Sequence, residues 1–202
     1  MEITSNEHSI QLNLLQNVFQ AATDEASQAM SVWTGGKVSL SLDCVREIPL
    51  EMVSQEFDLG MELLTMVVLT IEGDAGGTMI LTFDEENGRG LAASLFKQEV
   101  STDPEWSDLE KSALNETGNI LGCAYFNAIA RLVNCEFVPS PPIFLQDYGV
   151  CVLQQALMDQ IQDAGDVLIC QTTFLQGSEE LNWQILFIPD PAMRETLRSV
   201  PK

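Results

Sequence analysis

Two stretches of this chain carry the same apolar stripe, 99 residues apart. Leu15, Phe19, Ala22, Ala26, Ala29 and Trp33 recur as Leu114, Gly118, Leu121, Tyr125, Ala128 and Leu132. Intervals of three and four place each set on one face of a helix. A constant offset marks the two helices as copies of one element. Internal repetition constrains the fold, because each half must cover apolar surface that the other exposes. The first helix is predicted over 9–33. The second is predicted from Ser107 or Asp108, both competent caps, to about residue 133, with Glu110 in its first turn.

The segments that follow the helices match as well. After the first come 37–42, 63–71 and 78–83, all rich in Val, Ile, Leu and Thr, which read as strands. The loop 72–77 closes a hairpin. A helix over 85–96 follows, opened by Asp84, Glu85 and Glu86 as an acidic start with a solvated face. After the second long helix come a strand near 136–138, an apolar segment at 143–145, a helix near 148–162, and strands 167–174 and 181–188. A short helix begins after Asp190, with Pro191 suited to its first turn. The expected fold is α+β: two α-βββ-type halves, about 9–100 and 105–200, related by a pseudo-twofold axis. Both long helices pack on a shared β-sheet within one unit spanning 1–202. Residues 97–104 form a polar linker between the halves.

Charge narrows the partners. The chain has 202 residues, 46% of them hydrophobic, enough for a sizeable core. Its formal net charge is −21. That balance argues against a nucleic-acid partner, which Lys and Arg must hold by displacing counterions. It argues equally against an anionic membrane surface. It favours a partner with a basic patch or a bound cation. No apolar run reaches the roughly 20 residues of a spanning helix, so no membrane insertion is expected. The N-terminus lacks the basic and apolar regions of a signal peptide. Five scattered cysteines without a CxxC pair, and a single histidine (His8, given no role), make a zinc site improbable and read as buried thiols of a cytoplasmic protein. No metal site is expected on this chain. Trp33, Trp106 and Trp183 read as core or interface anchors.

The second helix carries a polar stripe opposite its apolar one. Ser112, Glu116 and Asn119 stand at i, i+4 and i+7, followed by Cys123 and Asn127. The ordinary reading of such a stripe is a solvated face. A carboxylate one turn from a carboxamide can also hold a cation and orient a water. Gly118 permits close approach of another backbone. Ser112 could instead bond a carbonyl of the preceding turn. Pro142, in the Pro-Ser-Pro-Pro run 139–142, shapes a loop.

The run of Ser112, Glu116 and Asn119, with Pro142 a further 23 positions on, resembles the conserved pattern of the CheC/CheX/FliY phosphatases. There, Asp or Ser precedes Glu-xx-Asn on a helix. The wider stretch 112–132 and the tail 186–191 are similar to that family's helix and closing strand. The resemblance implies hydrolysis of the aspartyl phosphate of a CheY-like response regulator in chemotaxis. It implies that Glu116 contacts the receiver's active-site lysine and that Asn119 orients the attacking water. Mg²⁺ and the phosphorylated Asp would come from the receiver, so no nucleophile or cofactor is needed on this chain. A CheD-like deamidase is a further implied partner.

By the same offset, Asn13, Asn17 and Gln20 fall opposite Ser112, Glu116 and Asn119, and Asp43 stands where Pro142 would. Asn17 has no charge for a lysine, and Gln20 carries its amide on a longer arm. This copy reads as a degenerate second site. The competing functions are a receiver-binding or flagellar-switch adaptor without turnover, and a scaffold that keeps only the fold. Intact Glu116 and Asn119 count against the scaffold. The chain ends soon after the last predicted helix, without an added switch-binding segment, which counts against the flagellar reading.

Overall fold

A computed structural model describes residues 5–49, 52–53, 63–73, 75–158 and 166–199, the side chains of 5–12 and 166 excepted. The His8 side chain, Asp74 in the 72–77 loop and positions 159–162 of the expected fourth helix lie outside these residues. In chain order the elements are α1 (Ser5–Thr34), β1 (Ser39–Pro49), β2 (Leu63–Glu72), β3 (Gly77–Phe83), α2 (Glu85–Phe96) and α3 (Asp108–Val133). Then follow β4 (Val138–Pro139), β5 (Ile143–Tyr148), α4 (Gly149–Met158), β6 (Asp166–Gln176), β7 (Glu179–Pro189) and α5 (Pro191–Arg198).

The strands form one antiparallel sheet in the order β1-β6-β7-β3-β2, with β4 and β5 both paired to the outer side of β2. Exchanging β1, β2 and β3 for β5, β6 and β7 returns the same order. The helices after the two central strands also begin alike. Asp84 accepts the backbone N–H of Asn87 at 2.7 Å, and Asp190 accepts that of Met193 at 2.7 Å. Each is an N-cap satisfying a donor that the helix itself leaves unpaired.

Alternation along the strands divides the core. Val67, Leu69, Leu81, Phe83, Ile185 and Phe187 face the long helices. Met66, Ile80, Leu186 and Ile188 face the other way, towards Leu153 and Leu157 of α4 and Val53. On the first face, α1 and α3 run antiparallel. The Trp33 indole of α1 meets Thr117 of α3, and Glu25 pairs with Arg131 near the far end of α3. Phe19 and Tyr125, both fully buried, stack with centroids 6.3 Å apart. Tyr125 also meets Cys170 of β6, 3.0 Å from hydroxyl to sulfur, and burial pushes that thiol up to about 12.

Several expectations need correction. The stripe of α3 does not end at Leu132, which is 42% exposed; Ile129 is buried instead, as is Met30, its counterpart at the same offset. Leu132 lies 18 residues beyond Leu114, about five full turns, and so shares its azimuth; its exposure follows from its place in the last turn of α3, which ends at Val133, and not from drift of the stripe. The second half has four strand segments after its long helix, not three. Proline lacks the ladder's N–H donor, and the prolines at 139, 141 and 142 split one edge strand into β4 and β5. Ser140 bridges the gap. It donates its N–H to the Thr70 carbonyl at 2.8 Å and accepts the Thr70 N–H on its hydroxyl at 3.0 Å. Of the five cysteines only Cys170 is buried; Cys135 and Cys151 are exposed, and none is disulfide-bonded. Among the described residues, no helix is long and apolar enough to cross a membrane.

Candidate functional site

The site is carried by α3, and the start of α3 is fixed by a buried charge network. Ser107 and Glu110 form a reciprocal capping box. The Glu110 carboxylate also receives Arg89 of α2 at 3.1 Å, and Arg89 in turn binds Glu85 at 2.9 Å. Arg89 is 4% exposed and lies 4.5 Å from the centre of the Trp106 ring. Burial alone would raise the Glu110 pKa. The Ser107 hydroxyl and N–H, with Arg89, outweigh it and hold the carboxyl below its ordinary value.

Two glycines set the helix close to the sheet. A Cβ on Gly118 would lie 2.5 Å from Val67 Cγ1, and one on Gly122 would lie 2.9 Å from Leu69 Cδ2. The close approach at Gly118 is therefore to side chains of β2, not to another backbone as its sequence context predicts. With its apolar face seated on β2, α3 turns its polar stripe outward. Glu116 and Asn127 are exposed, while Asn119 and Cys123 are half-buried.

On that outward side α3 and the loop between β4 and β5 enclose an open cleft of about 580 Å³. Ser112, Glu116 and Asn119 line it from the helix, and Pro142 lines it from the loop. The four positions singled out from sequence spacing thus meet in one place. Ser112 is exposed in the cleft. It is Thr117, buried, that bonds back to the preceding turn, donating to the Ala113 carbonyl at 2.8 Å. The Cys123 thiol donates to the Asn119 side-chain carbonyl at 3.7 Å. That bond orients the carboxamide and leaves its NH₂ group as a donor.

Sequence reading missed two residues of this cleft, Lys111 and Asn115. Lys111 places its ammonium 5.9 Å from the centre of the Phe144 ring on β5. The side-chain oxygen of Asn115 is buried and has no hydrogen-bond partner among the described residues. The signal was available: 111, 115 and 119 are spaced i, i+4, i+8 and form a second row beside the recognised one.

The first copy is arranged differently. Asn13, Asn17 and Gln20 are exposed on α1, and the Gln20 amide donates to Asp24 at 2.9 Å. Asp43 sits where β1 shifts register against β6, between Leu42 and Cys44, and accepts a hydrogen bond from Thr173. The equivalent strand irregularity in the second half is the proline run. Burial raises the Asp43 pKa, against the Thr173 hydrogen bond, with Glu180 adding to the rise.

No protein-family model matches the chain. It is 24% identical over 191 residues to the CheY-P phosphatase CheC of Bacillus subtilis (strain 168), covering 89% of this chain and 88% of that protein. Its fold superposes on Thermotoga maritima FliY with a TM-score of 0.69 at 15% identity, over 98% of this chain and 96% of the other. It superposes on CheX from a Borrelia burgdorferi CheX–CheY–BeF3–Mg²⁺ complex with a TM-score of 0.56 at 16% identity, over 87% and 97%. The likeness in sequence to CheC thus runs over nearly the whole chain, and the fold is one that FliY and CheX share.

Proposed function

We propose that this chain hydrolyses the aspartyl phosphate of a CheY-like response regulator. The observation that carries this reading is the cleft in which Ser112, Glu116 and Asn119 face Pro142. Phosphoryl transfer asks for in-line positioning of water and for charge stabilisation, and little covalent chemistry from the protein. Asn119 supplies a carboxamide able to bond the attacking water and a phosphoryl oxygen. Glu116 supplies an exposed carboxylate for the receiver's lysine, a charge-assisted contact. The receiver brings its own Mg²⁺, which neutralises charge developing on the phosphoryl oxygens. The name of the Bacillus relative supports the activity, and the CheX complex with CheY supports the class of partner.

The test is phosphate release from a phosphorylated receiver domain, with and without the chain. Acceleration that is lost in Asn119→Ala supports hydrolysis. Tight binding without acceleration replaces it with an adaptor that holds the receiver.

A further inference from the structure

We propose that Lys111 is a docking contact that selects receivers carrying a carboxylate beside the lysine that Glu116 binds. The inference rests on the phosphatase reading for the partner's class and adds what that partner must present. Among the described residues, Lys111 is the only cationic side chain lining the cleft, in a chain with 9 Lys and Arg against 30 Asp and Glu. A cation there stands out against the field of the whole molecule.

Its position is fixed rather than trailing in solvent. The ammonium is held over the Phe144 ring, and Phe144 packs against Trp106 with centroids 5.5 Å apart. Trp106 is 5% exposed and lies over Arg89 of the network that anchors the start of α3. The Phe144–Trp106 pair beside the cleft thus pre-orders the lysine stem, reducing the entropy lost on forming a contact. Among the described residues Lys111 pairs with no carboxylate, although Asp108 and Glu116 line the same cleft.

Distance decides its role. Lys111 and Asn119 are eight residues apart, about 12 Å along the helix axis. A phosphoryl group held at Asn119 is out of reach of the Lys111 ammonium, so Lys111 contacts the partner's surface and not the reacting atoms. Lys111 and Glu116 are five residues apart, about 8 Å along the axis. Together they present a plus-then-minus order. A receiver fits when it offers a carboxylate and an ammonium in the complementary order at a similar spacing, and a basic residue in place of that carboxylate is repelled.

The experiment compares wild type, Lys111→Met, Lys111→Arg and Lys111→Glu. The probes are a CheY-like receiver phosphorylated with acetyl phosphate and the same receiver charged with beryllofluoride. Met keeps the apolar stem on Phe144 and removes only the charge. At low salt, Lys111→Met should raise KM and Kd about fivefold, with kcat unchanged, as for a surface ion pair with good geometry. Lys111→Glu should raise both about tenfold or more, and Lys111→Arg should stay near wild type. The differences should shrink at 1 M salt, where screening acts over about 3 Å. Unchanged Kd and KM in Lys111→Met at low salt overturn the inference, as does a fall confined to kcat. If wild type binds the beryllofluoride receiver without releasing phosphate from the phosphorylated one, the phosphatase reading fails. The Kd series then still decides the role of Lys111. Failure of wild type to bind at all overturns both.

Discussion

The indole N–H of Trp33, at the end of α1, donates to the Thr117 hydroxyl of α3 at 3.0 Å. Thr117 stands between Glu116 and Gly118, so the first long helix braces the turn that carries the candidate site. The hydroxyl is fully buried and already donates to Ala113, which leaves its oxygen as the acceptor for Trp33. Thr117→Val keeps the shape and strands the indole N–H. We expect a loss of about 1–3 kcal/mol in denaturant unfolding. Trp33→Phe, which removes the donor as well, should recover part of that loss when added to Thr117→Val. A double variant less stable than Thr117→Val alone would contradict the pairing.

Gly118 is required for packing. Gly118→Ala puts a methyl 2.5 Å from Val67 Cγ1, and overpacking of that kind costs about 1–3 kcal/mol. Val67→Ala on its own opens a cavity and also destabilises. The double variant should be more stable than the sum of the single losses predicts. Simple additivity in a thermal or denaturant cycle would place the constraint elsewhere.

Glu110 gives the fold an acid limit. Its carboxyl is held below the ordinary value, so the ionised form is favoured by folding. The stability it contributes is complete above the unfolded-state pKa and is lost as pH falls through the lower folded-state value. Unfolding free energy measured from pH 6 downwards should fall more steeply in wild type than in Glu110→Gln. Parallel curves would remove Glu110 from the account.

For the candidate chemistry, Glu116→Gln should weaken receiver binding by about 1.5–3 kcal/mol, the range of a charge-assisted hydrogen bond. Asn119→Ala should lower kcat far more than affinity, because a water-orienting contact acts mainly in the transition state. A saturation curve for phosphate release separates the two. A raised half-saturation point with unchanged maximal rate in Asn119→Ala would refute the assignment.

The two halves should also differ in activity. Gln20→Ala should leave phosphate release nearly intact, while Asn119→Ala abolishes it. Asn17 lacks the charge of Glu116, and the Gln20 amide is engaged by Asp24. An amide misplaced by about 1 Å costs on the order of a hundredfold in rate. Loss of hydrolysis in Gln20→Ala alone would move the active site to α1.

What could be read from the sequence followed from periodicity. α2 was legible to the residue, because Asp84 caps it and the apolar spacing stops at Phe96. The site stripe was legible because three polar residues recur at helical spacing on a helix whose other face is apolar. The capping box at Ser107 and Glu110 was written in the sequence as well, but not its third member. Arg89 is 21 positions from Glu110 and reaches it only through the packing of α2 on α3. Lys111 was hidden for a related reason. A lone lysine in a helix reads as solvated surface, and only Phe144, brought in by β5, shows that it is held. The exposed ends of Leu132 and Cys135 were misjudged because a stripe in sequence does not say where the sheet beneath it stops.

The run from Pro139 to Pro142 has a consequence for anything entering the cleft. Three of its four residues have no N–H, and the fourth, Ser140, gives its own to the Thr70 carbonyl and its hydroxyl hydrogen to the Pro141 carbonyl. An anion in the cleft therefore meets hydrogen-bond donors on one side only, those of Lys111, Ser112, Asn115 and Asn119 along α3. The opposite wall offers ring faces and carbonyl oxygens, in a backbone whose φ angles the prolines restrict. It limits how far a ligand can slide without competing for its charge, so orientation is decided by the helix and depth of entry by the loop.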